Sequence, residues 1–167
     1  FDYAPSPLLL QNRIILVTGA DDGLGRVAAK SFAAYGATII LLGQAVSQLE
    51  TIYDEIEQAG GPQPAIYPLN LASAGPNDYE NLTSVLATEF GHLDGLLHST
   101  SLLGYLTPLE HFEVELWYQI MQVNLNAPFL LTKALLGLMK RADDASIVFT
   151  SSDVGRKGKA YWGAYSV

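Results

Sequence analysis

An α/β domain built on a doubly wound parallel sheet, with helices on both faces, is the fold class that this sequence predicts. Three observations predict it. Five short apolar runs recur along the chain, at 13–18, 38–42, 65–69, 93–98 and 146–150, and their apolarity is continuous rather than alternating. That pattern belongs to strands buried on both faces. Helix-length amphipathic stretches separate the runs, and strand–helix alternation along a chain favours right-handed βαβ units. A glycine-rich turn follows the first run directly and opens a helix. The 167 residues, 49% hydrophobic and 16% charged, suit a single domain, 1–167, with a sizeable core.

Taken in order, Arg13-Ile14-Ile15-Leu16-Val17-Thr18 is the first strand. Behind its glycine turn, residues 27–35 read as a helix that stops at Gly36. Residues 38–42 form the second strand. Val46, Leu49, Ile52, Tyr53 and Ile56 then recur at helical spacing until Gly60-Gly61-Pro62 ends the helix. Residues 65–69 are a third strand, weakened at its end by Pro68. Tyr79, Leu82, Leu86 and Phe90 mark a helix before Gly91, and 93–98 is the fourth strand. A Leu-rich connection with Gly104 and Pro108 leads to Glu113, and a loop of that length reads as a binding loop. One long helix is expected over 113–141, with Pro128 as a kink or break. Residues 146–150 close the series as a fifth strand.

Charge and composition exclude several function classes. Nine Lys and Arg face 17 Asp and Glu, a net charge of −8, so the chain lacks the basic footprint of a nucleic-acid binder. With no Cys there is no disulfide scaffold or thiolate metal site, and a reducing, cytoplasmic setting is expected. His92, His98 and His111 have no metal-ligand spacing with nearby carboxylates, so no metal site is expected. The longest apolar runs are far too short to span a membrane, and the first residues lack the basic and apolar regions of a secretory signal. The chain starts without Met and stops at Tyr165-Ser166-Val167 with no tail character. A larger polypeptide lacking its C-terminal part here is the expectation.

The turn Thr18-Gly19-Ala20-Asp21-Asp22-Gly23-Leu24-Gly25 carries the chemistry. Gly19 suits a tight exit from the strand, Gly23 close approach of a pyrophosphate to the backbone, and Gly25 close helix packing. The helix N-terminus adds unpaired N–H groups and a positive dipole end. Without G-x-x-x-x-G-K-[ST], a P-loop nucleotide hydrolase is disfavoured.

The Thr18-Gly19-x-x-x-Gly23-x-Gly25 signature resembles that of the short-chain dehydrogenases/reductases. Val123-Asn124-Leu125-Asn126-Ala127 resembles the family's catalytic-Asn segment, and Ile147-Val148-Phe149-Thr150-Ser151-Ser152 its catalytic-Ser strand. Tyr165 follows Ser152 at the family's usual separation of thirteen residues. Segments 93–98, 121–127 and 148–165 are similar to a bacterial subgroup of poorly defined substrate. The resemblance implies a Rossmann-type fold and an NAD(P)-dependent oxidoreductase acting on a carbonyl or secondary alcohol, possible substrates including 3-oxoacyl thioesters. It implies Tyr165 as acid/base, Ser152 as the hydroxyl on the substrate carbonyl, and Asn124 as anchor of a relay water. A Lys four residues after the Tyr would lie beyond Val167. Cofactor contacts are implied at Thr18, Gly19, Asp21, Asp22, Gly23, Leu24, Gly25, Gly43, Gln44, Asn70, Leu71 and Ser99. The family also implies a homodimer or homotetramer joined through its fourth and fifth helices.

Three departures stand out. Ser99-Thr100-Ser101 replaces the family's Asn-Ala-Gly after the fourth strand, losing a flexible Gly and an Asn that ties strands. Asp21-Asp22 places two carboxylates in a phosphate-binding turn, where they either repel phosphate or face solvent and cap the helix. Gly43 stands where an NAD enzyme carries an acid, and Gln44 where an NADP enzyme often carries Arg. The balance leans to NADP over NAD, with Asp22 pulling the other way. The departures motivate an alternative: an SDR-like dinucleotide-binding or sensor protein with impaired or no catalysis. Arg156-Lys157-Gly158-Lys159 reads as a solvated turn or a lure for an anionic substrate. Leu102, Leu103, Tyr105, Leu106, Tyr161 and Trp162 read as pocket lining or packing.

Overall fold

Residues 5–167 are described by a computed structural model. Five parallel strands form one sheet: β1 (Ile14–Thr18), β2 (Thr38–Gly43), β3 (Ala65–Pro68), β4 (Gly95–His98) and β5 (Ser146–Phe149), in the spatial order β3-β2-β1-β4-β5. The chain order therefore reverses between β1 and β4. Helices α1 (Gly23–Ala34) and α2 (Val46–Gln58) join β1 to β2 and β2 to β3. Helix α3 (Pro76–Glu89) joins β3 to β4, and α4 (Val114–Met121) and α5 (Ala127–Met139) lie between β4 and β5.

Side-chain alternation explains why both faces are covered. Ile15 and Val17 of β1, Ile39 and Leu41 of β2, and Leu97 of β4 pack with Ala29, Ala33, Leu49 and Ile52 of α1 and α2. Leu16, Ile40, Leu42 and Leu96 point the other way, against Leu82, Leu86, Leu131 and Leu135 of α3 and α5. A strand sandwiched in this way has no polar face, hence the continuous runs in the sequence. Fully burying one such aliphatic side chain is worth about 1.5–3 kcal/mol.

Several boundaries differ from expectation. Helix α1 begins at Gly23, four residues before the predicted start, because Asp22 accepts from the Gly23 N–H at 2.7 Å and caps it. Helix α3 begins at Pro76, three residues before the first of its recurring apolar positions, Tyr79. Pro needs no donor in a first turn, and the Asp78 carboxylate accepts from the Gly75 N–H at 2.8 Å. Pro68 is tolerated because β3 is an edge strand. The single helix over 113–141 is in fact three pieces: α4, a π turn (Gln122–Asn126) and α5. The Ala127 N–H donates to the Gln122 carbonyl, five residues back. Pro128 has no N–H for the Asn124 carbonyl four residues back, so the widened turn takes the strain that a Pro puts on a regular helix. The fifth strand corrects its prediction too. It is largely exposed, Val148 by 54% and Phe149 by 56%, since it is the other edge of the sheet.

Candidate functional site

Open parallel sheets bind ligands at the carboxyl ends of the strands, where the strand order reverses. Here that point lies between β1 and β4. Thr18 ends β1 fully buried, and its hydroxyl oxygen accepts from the Ser99 and Thr100 N–H groups at 3.0 and 3.2 Å. Thr18 thus supplies the tie between neighbouring strands for which the sequence offered no Asn. Neither Thr100 nor Ser101 takes a positive φ, so the lost Gly freedom is not needed there.

The glycines of the turn differ in their surroundings. Gly19 turns the chain at φ +63°, with Thr100 pressed against it. A Cβ on Gly25 would stand 2.1 Å from the Gly19 carbonyl oxygen, so only Gly lets α1 cross the turn. Nothing lies within 4 Å of where a Cβ on Gly23 would stand, and its φ is +51°. Open backbone at the start of a helix fits a pyrophosphate, and the residues present accommodate a dinucleotide.

The two acidic side chains are both engaged. Asp22 caps Gly23, as above. Asp21 reaches across to β2, where one carboxylate oxygen, Oδ2, accepts from the Gln44 and Ala45 N–H groups at 3.1 and 3.0 Å. A Cβ on Gly43 would lie 2.6 Å from the Asp21 Cγ, so Gly43 makes room for that carboxylate.

Two adjoining cavities share Gly19, Asp21, Gln44, Thr100 and Ser101. One, of about 890 Å³, adds Asp22, Gly23, Leu24, Ser99, Ser151 and Tyr165. The other, of about 160 Å³, adds Gly43, Asn70 and Leu71 beyond the end of β2. The Asn70 side chain accepts from the Ala72 N–H at 3.0 Å, shaping that wall. A further cavity of about 220 Å³ brings Asn124, Ser152 and Tyr165 together with His98, Thr150 and Ser151. Thr18 and Gly25, both buried, are the two predicted contacts that line none of these cavities.

Asn124 has a particular posture. Its side-chain oxygen accepts from the Leu102 N–H at 2.8 Å and its Nδ2 donates to the Leu102 carbonyl at 3.0 Å. Both ends of the amide are therefore spent on clamping the loop after β4. His98 completes the wall. Burial lowers its pKa from 6.5 to about 4, so the ring is neutral near pH 7. It stacks on Phe149, with ring centroids 4.6 Å apart, and its Nε2 lies 2.9 Å from the Thr132 hydroxyl.

His98, Thr100, Ser101, Thr150 and Ser151 were missed as site residues. Their signal was position: each ends a strand or follows one beside the switch point. Of the remaining candidates, Leu102 lines the cavity of about 160 Å³, and the others lie outside these three cavities. Arg156, Lys157 and Lys159 are exposed, with the Lys159 ammonium 5.7 Å from the centre of the Trp162 ring. Leu103, Tyr105, Leu106 and Tyr161 are also exposed. Another cavity, of about 640 Å³, lies away from the strand ends between α1 and α2. Its charged groups, Lys30 and Glu55, neutralise one another at 2.9 Å. Among the described residues no cluster of His, Asp and Glu suits a metal ion, and no helix is long and apolar enough to cross a membrane.

The sequence model of the short chain dehydrogenases matches residues 13–167. The chain belongs to the short chain dehydrogenase family. Among the family's proteins, Escherichia coli K12 YciK, an uncharacterized oxidoreductase, is 46% identical over 164 residues, 98% of this chain. The chain spans 65% of the length of that relative. A solved structure from Pseudomonas syringae superposes with a TM-score of 0.96 at 53% identity, covering 99% of this chain and 68% of the other. A structure from E. coli CFT073 complexed with NADPH gives a TM-score of 0.94 at 46% identity, covering 97% and 68%. Both structures thus share the fold of this chain over nearly its whole length.

Proposed function

We propose that this chain carries the cofactor site and catalytic hydroxyls of an NAD(P)-dependent oxidoreductase acting on a carbonyl or secondary alcohol. One observation carries the reading: Tyr165 and Ser151 line the same cavity as the glycine turn, and Ser152 joins Tyr165 in the cavity next to it. The NADPH-bound E. coli relative supports a nicotinamide dinucleotide, with NADP the form to test first and NAD the second.

The bound nicotinamide supplies or accepts a hydride at the substrate carbon. The chain's own residues manage the oxygen. In reduction, the carbonyl oxygen gains negative charge as the hydride arrives. The Tyr165 hydroxyl donates its proton there, and the Ser152 hydroxyl donates a hydrogen bond that polarises the carbonyl beforehand. In oxidation the same groups run in reverse, with the tyrosinate taking the alcohol proton. Asn124 holds the loop after β4 through Leu102, which keeps that wall of the site in register. Carbonyls of apolar substrates, 3-oxoacyl thioesters among them, head the screen, because the loop after β4 exposes Leu103, Tyr105 and Leu106.

Two further assignments accompany this reading. Exposed Tyr118, Leu125, Phe129 and Leu136 run along α4, the π turn and α5, which supports a homodimer or homotetramer through these helices. A cytoplasmic location matches the reduced nicotinamide pool that such an enzyme draws on.

Fluorescence titration with NADPH and NADH, followed by a carbonyl screen, tests the proposal. Saturable binding and turnover are expected. Tyr165→Phe should lower turnover by about 10²–10⁴-fold, while cofactor affinity stays within about threefold. Failure to bind either cofactor refutes the reading. Binding without turnover on any carbonyl favours the sensor alternative, which the two acids of the glycine turn motivate.

A further inference from the structure

The adenosine ribose of a dinucleotide falls at the end of β2 in this fold, where a carboxylate from that strand usually selects the 2′-hydroxyl. Here β2 ends in Gly43 and has no side chain to offer. We propose that Asp21, reaching over from the glycine turn, is the residue that counter-selects a 2′-phosphate at this site. The proposal rests on the dinucleotide reading above.

Three features carry it. First, the Asp21 carboxylate occupies the space that a side chain at position 43 would enter, its nearest atoms 2.6–2.9 Å from that Cβ position. The acid is thus delivered to the usual place from an unusual direction. Second, Asp21 Oδ2 takes the Gln44 and Ala45 N–H groups, at 3.1 and 3.0 Å. Backbone donors just ahead of a helix are natural partners for a phosphate. A 2′-phosphate at this point meets donors already holding an anion. Third, little compensates the charge. Among the described residues, Arg26 is the only cation lining the two cavities that share Asp21, and it pairs with Glu55. Gln44, the side chain next to the donors, is neutral. The second carboxylate oxygen, Oδ1, accepts no hydrogen bond among the described residues and remains able to accept from a 2′-hydroxyl.

Asp21 therefore narrows or reverses the preference for the phosphorylated cofactor. Asp21→Asn keeps the shape and the acceptor oxygen but removes the charge, and Asp21→Ser removes the group entirely. Dissociation constants for NADPH and NADH are measured on wild type and both variants, with circular dichroism melts as the folding control. The expected result is that the ratio of the NADPH constant to the NADH constant falls at least fivefold in Asp21→Asn, and also in Asp21→Ser. A smaller change in the folded variants overturns the proposal and leaves the dinucleotide reading intact. Wild type binding neither nucleotide overturns both.

Discussion

Gly25 shows how much one hydrogen atom decides at the scale of a residue. With a Cβ position 2.1 Å from the Gly19 carbonyl oxygen, α1 has to move before any other residue fits. Gly23, two positions earlier, has open space but a positive φ of 51°. The two are separable by substitution. Gly25→Ala is expected to destabilise by about 2–3 kcal/mol through overpacking and to weaken cofactor binding as the turn distorts. Gly23→Ala should cost only about 1–2 kcal/mol, the ordinary penalty of a left-handed backbone. Urea unfolding of both variants gives the comparison. Both glycines were readable in the sequence as a spaced set. Close packing at Gly25 was expected too, but not its obstacle, the Gly19 carbonyl, because that is backbone folded back on itself.

At the scale of elements, His98 joins three of them: it belongs to β4, stacks on Phe149 of β5 and meets Thr132 of α5. An unfolded imidazole takes its proton near pH 6.5, the folded one only near pH 4. Between these values the unfolded state holds more protons, so stability rises with pH across that window and is lost as pH falls. The full effect is on the order of 3 kcal/mol. Melting temperatures of wild type and His98→Gln, compared from pH 7 to pH 4, should diverge at pH 7 and converge toward pH 4. Parallel curves would contradict it. Strands and helices were legible because their periods are local. The π turn was not, although its cause, Pro128, stood in plain view. A Pro can kink, end or start a helix, and which it does depends on what packs around it.

At the scale of the whole molecule, exposed apolar side chains gather on one side. Tyr118, Leu125, Phe129 and Leu136 are exposed along the helices after β4, and Val148 and Phe149 are exposed on β5. Sedimentation should find a dimer or tetramer. Leu125→Glu combined with Phe129→Glu should shift it to monomer, since a carboxylate cannot be buried there without a partner. Monomeric wild type, or an unaffected oligomer, would remove these helices as the interface. The net charge of −8 sets a different property of the whole: it keeps polyanions away from the surface and makes a cationic neighbour at any phosphate subsite matter more.

The sequence by itself determined the order of strands and helices, the glycine turn, and the residue types gathered at the switch point. Those features depend on neighbours within about one helical turn or one strand, and the chain writes them directly. Tertiary structure decided how the polar side chains spend their hydrogen bonds. Asp21 was expected near phosphate or solvent, and its carboxylate lies instead on the amides of Gln44 and Ala45. The Asn124 side-chain amide clamps Leu102, a partner that no local pattern announces. Thr18 replaces the missing strand tie from the far side of the switch point. Each partner is more than twenty residues away in the chain. A short polar side chain has several partners it could satisfy, and only the packed sheet brings one of them within 3 Å.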